Sequence, residues 1–143
     1  MRIMGLDYGK KRIGVALSDE ARIIAQPFTL LTRVSAVKDI EEIKRLIVEN
    51  HVERVVIGHP VNMDGTLGKS ALEVEAFAER LKTSASVPIE LWDERLSTVA
   101  VTRILIDADV SRVKRKENVD KLSACYMLQG YLDRAAKRAP SGD

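Results

Sequence analysis

The sequence predicts an α/β protein built on a mixed five-stranded sheet, with three antiparallel strands first and two parallel strands after them. Two observations lead to this prediction. The chain up to Leu31 contains three apolar segments of strand length separated by short turns. Beyond it, strand-like apolar runs alternate with segments whose apolar residues recur at helical spacing. Such alternation produces crossovers that add parallel strands to a sheet flanked by helices.

The opening hairpin is the most clearly patterned part of the chain. Ile3-Met4-Gly5-Leu6 is apolar on both alternating faces, as expected for a strand in the middle of a sheet. Tyr8-Gly9-Lys10-Lys11 supplies a turn, and Arg12–Ser18 returns with larger apolar residues on one face and glycine or alanine on the other. Ile23–Leu31 contains Pro27, which predicts an irregular or edge strand.

Two helices and two strands are predicted next. Ser35–Asn50 carries apolar residues at helical spacing, and Arg54–Gly58 is a short apolar run typical of a parallel strand. Ser70-Ala71-Leu72-Glu73 matches a capping box and predicts the start of a second helix. Val87–Trp92 is the last predicted strand. The expected buried side of the second helix comprises Leu72, Ala76 and Leu81.

The C-terminal part is predicted to contain two helices separated by one loop. Asp93-Glu94-Arg95 closes the last strand before a helix that runs to about Asp107. Asp109–Asn118 lacks periodicity and is rich in basic residues, so we expect a mobile loop there. A final helix is predicted over about Val119–Arg138, with Asp120 on its apolar face.

Size and composition describe one soluble globular domain. With 143 residues, 45% hydrophobic and 31% charged, the chain suits a single domain over residues 1–138, and we expect a disordered tail at 139–143. No apolar run approaches the roughly 18 residues of a membrane span. The N-terminus enters a strand at once, without room for a signal peptide, and Cys125 is the single cysteine. We therefore expect a cytoplasmic protein with a buried thiol.

The charge pattern says more than the net charge of +2, which is too small to argue for nucleic acid. The basic clusters Lys10-Lys11-Arg12 and Arg112–Lys116 either contact phosphates or solvate loops, and the residues alone leave both open. Aromatic residues are 4% of the chain, which argues against a module that stacks single-stranded bases. Gly68-Lys69-Ser70 is not a Walker loop, because Met63 stands where that motif needs glycine.

Three acidic residues from distant segments, Asp7, Glu94 and Asp120, are predicted to converge at one edge of the sheet. Asp7 follows the first strand, and Glu94 follows the last one. Carboxylates packed together repel each other, an arrangement that makes sense when divalent cations occupy the space between them. Two such cations about 4 Å apart would activate a water and stabilise the leaving oxygen of a phosphodiester. This is the chemistry of a metal-dependent nuclease.

The same acids also have ordinary structural explanations. A strand-end aspartate is often a turn former, and Asp120 near a helix start complements the macrodipole. Asp93 and Glu94 also suit the N-cap region of the following helix. Because these two are adjacent, their side chains should point in different directions, and only one is expected to reach the site.

Four short motifs mark the ends of predicted strands and the last helix. They are Gly5-Leu6-Asp7-Tyr8-Gly9 with Lys11–Ala16, Gly58 with Pro60 and Asn62-Met63-Asp64-Gly65, Asp93–Thr98, and Val119-Asp120. In this order and spacing they resemble the YqgF family, bacterial proteins described as RuvX-like Holliday-junction resolvases or as nucleases of the 16S rRNA precursor. The resemblance covers nearly the whole chain and departs from the family pattern mildly at His59 and Ser123.

The resemblance implies a ribonuclease-H-like fold and a cytoplasmic nuclease that depends on Mg²⁺ or Mn²⁺. Asp7, the pair Asp93-Glu94 and Asp120 match the family's proposed catalytic and metal-binding positions, and we prefer Glu94 to Asp93. We expect the nucleic-acid backbone to be held by Lys10, Lys11, Arg12, Asn62 and Arg95.

We therefore expect a hydrolase of phosphodiester bonds, with the 5′ end of pre-16S rRNA as the leading substrate. The alternatives are a Holliday-junction resolvase in DNA recombination and repair, and a non-catalytic nucleic-acid-binding regulator. A phosphotransferase of the actin and Hsp70 type is disfavoured, because those proteins enclose a nucleotide between two such domains. The sequence leaves monomer and homodimer open; a dimer would favour symmetric junction cleavage.

Overall fold

A computed structural model describes residues 1–96 and 112–138 of the chain, and the side chains of 1–96 and 122–137 within them. The sheet and helices are built in the order β1 Arg2–Tyr8, β2 Arg12–Ser18, β3 Ala25–Thr32, α1 Ala36–Glu49, β4 Val52–His59, α2 Lys69–Ser84, β5 Ile89–Asp93, a 3₁₀ turn Glu94–Leu96, and α3 Arg112–Arg138. Within these ranges, no helix is both long and apolar enough to cross a bilayer.

The five strands form one mixed sheet in the order β3-β2-β1-β4-β5. The pairs β1–β2 and β2–β3 are antiparallel, whereas β4 pairs parallel with both β1 and β5. This confirms the predicted sheet and places β3 at an edge, as Pro27 indicated. The register of β3 against β2 shifts beside Pro27, because proline cannot donate to a regular ladder.

The two faces of the sheet pack against different helices. One face carries large residues such as Leu6, Ile13, Val15 and Ile57, and it packs under α1 and α2. The opposite face carries Ile3, Ala16, Val56 and Trp92 and packs under α3. Helix α1 begins as predicted, because the Ser35 side chain accepts a hydrogen bond from the backbone N–H of Lys38 at 3.2 Å. Cys125 is buried, also as predicted.

The predicted start of α2 was wrong, and so were two of the three residues predicted for its buried side; the third, Leu81, is buried as predicted. The helix begins at Lys69 with Gly68 as a cap that offers no side-chain hydrogen bond, so the capping box is not used. Leu72 is 55% exposed, and Ala76 is exposed as well. The buried side is instead Ala71, Val74, Phe77, Ala78 and Leu81. These residues follow the same helical spacing as the predicted ones. The helix turns this side toward the sheet because burying it removes more apolar surface from water.

The predicted loop over Asp109–Asn118 was also wrong where the structure describes it, because α3 already begins at Arg112. Lysine, arginine and glutamate have high helix propensity and need no apolar stripe to form a helix. The absence of apolar periodicity in Arg112–Asn118 therefore led to the prediction of a loop, although the backbone there is helical. The helix expected up to Asp107 and the tail 139–143 lie outside the described residues.

The start of β3 also differs from the prediction. Asp19 accepts hydrogen bonds from the backbone N–H groups of Ile23 and Ile24, at 2.8 and 3.1 Å, and Arg22 adopts a positive φ of 60°. These contacts hold the segment as a turn. The strand therefore begins at Ala25 rather than at Ile23.

Helix α3 approaches the central strand β1 very closely at Gly5. A methyl group at this position would come within 2.8 Å of the Leu128 Cβ atom and 3.3 Å of the Ala124 carbonyl oxygen. Because real Cβ atoms do not approach that closely, a side chain at position 5 would push the helix off the sheet.

We predict that Gly5→Ala lowers the free energy of unfolding by about 1–3 kcal/mol, the usual cost of overpacking a core. Gly68→Ser is the matched control, since φ there is −82° and a Cβ atom would meet Asn62 atoms at an ordinary 3.5 Å. We expect the control to stay within about 0.5 kcal/mol of the unmodified protein. Urea unfolding of the three proteins would measure this; equal midpoints for all three would contradict the packing described here.

Candidate active site

Asp7 lies near the carboxyl end of the central strand β1 and is half-buried. It pairs with Gly14 of β2, a residue without a side chain. Because side chains alternate along a strand, Asp7 faces the same way as Ile3 and Gly5, toward α3. The predicted acid therefore lies on the face of the sheet that packs against α3.

Glu94 reaches the same face from the 3₁₀ turn after β5. A Cβ atom at Gly58 would lie 2.6 Å from Glu94 Oε1 and 3.4 Å from its carboxyl carbon, so this carboxylate occupies the side-chain space that Gly58 leaves. Leu6 pairs with Ile57 between the parallel strands β1 and β4. Asp7 and Gly58 are the next residues on these strands, which run about 4.8 Å apart. Asp7 and Glu94 are thus brought together at one edge and on one face.

The position of Asp120 follows from the direction of α3. Cys125 Sγ lies 3.4 Å from the Ala25 carbonyl oxygen, and one turn later Gln129 bonds the Ala25 N–H at 2.9 Å and the Ile23 carbonyl at 2.8 Å. The C-terminal half of α3 therefore runs away from the carboxyl end of β1. Asp120 precedes Ala124 by about one turn, on the stripe that crosses Gly5, and so belongs to the half nearer Asp7. Its side chain is outside the described part of the chain.

The neighbouring acid, Asp93, has a different environment. It pairs with His59 in the register of β4 and β5, and it follows Ile89 and Leu91 on the face covered by α2. Arg95 donates to it through Nη2 at 2.7 Å, through Nε at 3.0 Å and through its backbone N–H at 2.9 Å. The hydrogen bonds from Arg95 lower the pKa of Asp93 below its usual value. The two adjacent acids therefore serve opposite faces of the sheet.

The expected backbone-binding residues surround this edge on two sides. Lys10 and Lys11 are exposed in the hairpin turn, and Arg12 is half-buried, with an Nη1 atom that has no hydrogen-bond partner among the described residues. On the other side, Asn62 bonds Thr66 Oγ1 at 3.0 Å and closes the loop after β4. Arg95 Nη1 lies 3.8 Å from where a Cβ atom of Gly65, in that loop, would be.

Arg33 was missed at the sequence level, although it organises the hairpin turn. Its Nη1 donates to the carbonyl oxygens of Gly9 and Lys10, both at 2.9 Å, and its guanidinium lies 4.4 Å from the centre of the Tyr8 ring. The signal was available in the strand pairing. Because β3 ends beside the start of β2, the next residue after Thr32 must face the turn.

The donor chemistry of the edge suits a hard cation. Carboxylate oxygens of the kind that Asp7 and Glu94 provide are the ligands that Mg²⁺ and Mn²⁺ prefer. Among the residues whose side chains are described, no three acidic, histidine or cysteine side chains come close enough to hold a metal ion. The predicted set of Asp7, Glu94 and Asp120 includes one acid outside that group.

Comparison with known proteins relates the chain to two groups of nucleases. The family model described as "RuvX: Holliday junction resolvase" matches residues 1–134. A protein of Thermoanaerobacter pseudethanolicus named "Putative pre-16S rRNA nuclease" is 54% identical over 134 residues, covering 93% of this chain and 96% of its own. A protein of Desulforamulus reducens with the same name is 51% identical over 137 residues, covering 96% of this chain and all of its own (100%).

Two solved structures share the fold. RuvC of T. thermophilus in complex with Holliday junction substrate has a TM-score of 0.57 at 11% identity, covering 94% of this chain and 96% of that one. The fowlpox virus Holliday junction resolvase has a TM-score of 0.51 at 11% identity, covering 94% and 99%. At such identity the likeness concerns the fold alone, and it confirms the ribonuclease-H-like architecture. The family match and the identity of the relatives show that this chain belongs to the RuvX (YqgF) family.

Proposed function

We propose that this protein is a divalent-cation-dependent nuclease that processes the 5′ end of the 16S rRNA precursor in the cytoplasm. Membership of the family makes it a nuclease, a hydrolase of phosphodiester bonds. The observation that carries the finer proposal is the position of Asp7 and Glu94 on one face and at one edge of two neighbouring parallel strands. Ligands of open α/β sheets bind at this end of the strands.

The catalytic residues in this proposal are Asp7, Glu94 and Asp120, which would hold Mg²⁺ or Mn²⁺ through carboxylate oxygens. Bound there, a pair of such ions supplies a nucleophilic water at neutral pH and charge stabilisation for the leaving oxygen. The chain itself contributes orientation. Asp7 is held by a paired strand, and the Glu94 carboxylate is held against the Gly58 backbone. Ligands held in this way keep the positions that metal binding requires.

The substrate backbone would be held on the two sides of this edge. Lys10, Lys11 and Arg12 come from the hairpin turn, and Asn62 and Arg95 come from the opposite side. Phosphate contacts of this kind position a nucleic acid without reading its sequence. The bonds to Asp93 would keep the Arg95 guanidinium at the site edge.

RNA is preferred as the substrate because the relatives near 50% identity carry the name of a pre-16S rRNA nuclease. Cleavage of Holliday junctions is the second candidate, favoured by the family description and the RuvC-like fold. That reaction needs two active sites on a two-fold substrate, and hence a dimer. A regulator that binds nucleic acid without cutting it is the candidate of another class.

The first prediction for this proposal concerns substrate. We expect the protein to cut a labelled pre-16S 5′ leader RNA in the presence of Mn²⁺, and the cutting to disappear with EDTA and in Asp7→Asn. A four-way DNA junction is incubated in parallel. Paired nicks in the junction would support the resolvase, no cutting of either substrate would support the non-catalytic regulator, and cutting that survives Asp7→Asn would overturn the proposed site.

The second prediction separates the two adjacent acids. We expect Glu94→Gln to lower the cleavage rate by at least about 100-fold, because it removes a ligand charge from the Asp7 face. Asp93→Asn should lower the cleavage rate by less than about tenfold, because Asp93 affects the substrate only by positioning Arg95. The melting temperature gives an independent readout, since a cation that binds only the native state raises it. Mn²⁺ should stabilise Asp93→Asn but not Glu94→Gln; the reverse pattern would assign the metal to Asp93.

The third prediction concerns pH. Arg95 lowers the pKa of Asp93 below its usual 3.8, so this pair stabilises the fold above that pH and loses its contribution as the pH falls through the lowered value. Because both side chains are partly exposed, solvent screening keeps this contribution small. In urea unfolding, Asp93→Asn should be less stable than the unmodified protein at pH 7, and the gap should close as the pH falls through the lowered pKa of Asp93. A gap that is constant with pH would contradict this assignment.

A further inference from the structure

We infer a second phosphate-binding site on the other face of the sheet, in which a groove beside the hairpin turn binds the backbone of the same nucleic-acid strand. This groove, called here the basic groove, is a cavity of about 510 Å³ between the hairpin turn, the start of α1 and the side of α2 that runs from Lys69 to Arg80. Four cations line it: Lys10, Arg33, Lys69 and Arg80. The inference rests on the proposed function and extends it to a surface away from the acidic residues.

The charge of the basic groove is balanced only in part by the protein itself, through Asp39, which lies 4.0 Å from Arg33 Nε, and through Glu73. Glu73 is the acidic side chain among its lining residues, and it lies 4.0 Å from Lys69 Nζ, whose side chain is 90% exposed. Within the described part of the chain, neither Lys10 nor Arg80 has a carboxylate within 4.0 Å. Like charges gathered in a concave surface raise the local potential and attract anions. The cations come from three separate segments, so the fold rather than a single run of basic residues assembles the groove.

The aromatic residues of the basic groove exclude recognition by base stacking. One face of the Tyr8 ring stacks on Phe77 at 4.4 Å, and the Arg33 guanidinium covers the ring at 4.4 Å as well. Phe77 itself is 3% exposed. No open ring face is therefore left in this wall for a nucleobase. Recognition by charge alone suits the phosphodiester backbone, which carries the same charge whatever the sequence.

The location of the basic groove links it to the cleavage edge. Tyr8 follows Asp7 directly in β1, and their side chains point to opposite faces of the sheet. Lys10 lies in the turn that connects β1 to β2, at the edge of the sheet where its two faces meet. A strand cut beside Asp7 and bent over this turn would place a neighbouring phosphate in the groove. The groove would thereby hold the strand next to the bond that is cut.

Lys69 and Arg80 are the residues to change, because both are exposed on α2 and neither holds the hairpin turn, as Arg33 does. The double variant Lys69→Ala/Arg80→Ala removes two positive charges from the groove. Lys82→Ala/Arg134→Ala is the matched control, since it removes two exposed cations elsewhere and leaves the same net charge. Lys69→Arg/Arg80→Lys keeps the charge and should retain binding. Circular dichroism checks that all variants are folded.

The experiment measures binding of a labelled single-stranded leader RNA in EDTA, so that no cleavage is required. We expect the groove variant to bind about five- to tenfold more weakly, and its slope of log K against log salt to fall by about 1.4, as two lost contacts to a single strand require. The control and the charge-preserving variant should bind within about twofold of the unmodified protein. Equal loss in the groove variant and the control would overturn the inference.

A free mononucleotide and inorganic phosphate are tested in the same assay as competitors. Competition only at concentrations far above that of the RNA supports a backbone site, whereas competition at equal concentration would make the groove a nucleotide site and overturn the inference. Weaker binding by the groove variant, in a protein that cuts neither substrate, would support the groove while the proposed nuclease fails. Cleavage together with unchanged binding by the groove variant would overturn the groove alone.

Discussion

The arrangement of this protein depends on the absence of side chains at two positions in neighbouring parallel strands. At Gly5, the missing Cβ atom lets α3 lie against β1, with Leu128 and the Ala124 carbonyl where a side chain would be. At Gly58, the missing Cβ atom leaves room for the Glu94 carboxylate. Both gaps are on the same face as Asp7. Close packing of a helix and a carboxylate against bare backbone is what brings acids from distant segments to one edge.

The central strand divides the chemistry of the protein between its two faces. Asp7 points to the face under α3, and Tyr8 points to the face under α1 and α2. Asp7 and Glu94 are on the first face, whereas Lys10, Arg33, Lys69 and Arg80 line the groove on the second. This separation is possible because successive residues of a strand alternate sides. A nucleic-acid strand bound by the cations of the basic groove can then reach Asp7 and Glu94 by bending over the hairpin turn.

Two arginines stabilise the margins of the proposed site without belonging to its acidic residues. Arg33 holds the hairpin turn through the carbonyl oxygens of Gly9 and Lys10. Arg95 binds Asp93 and thereby neutralises the acid next to Glu94. In both cases the guanidinium forms several directed hydrogen bonds at once, which a lysine could not reproduce. The loops that carry the functional residues are thus ordered by contacts specific to arginine.

The sequence by itself determined the three antiparallel strands followed by parallel ones, the irregular or edge character of β3, helix α1 and the place of Asp7 at a strand end, because these follow from local periodicity, turn residues and proline. Tertiary structure alone decided the buried side of α2, where packing favoured Val74 and Phe77 over Leu72. It also decided which of two adjacent acids shares a face with Asp7. That choice depends on the register of β5 and on the space at Gly58. Neither can be deduced from the spacing of residues along the chain.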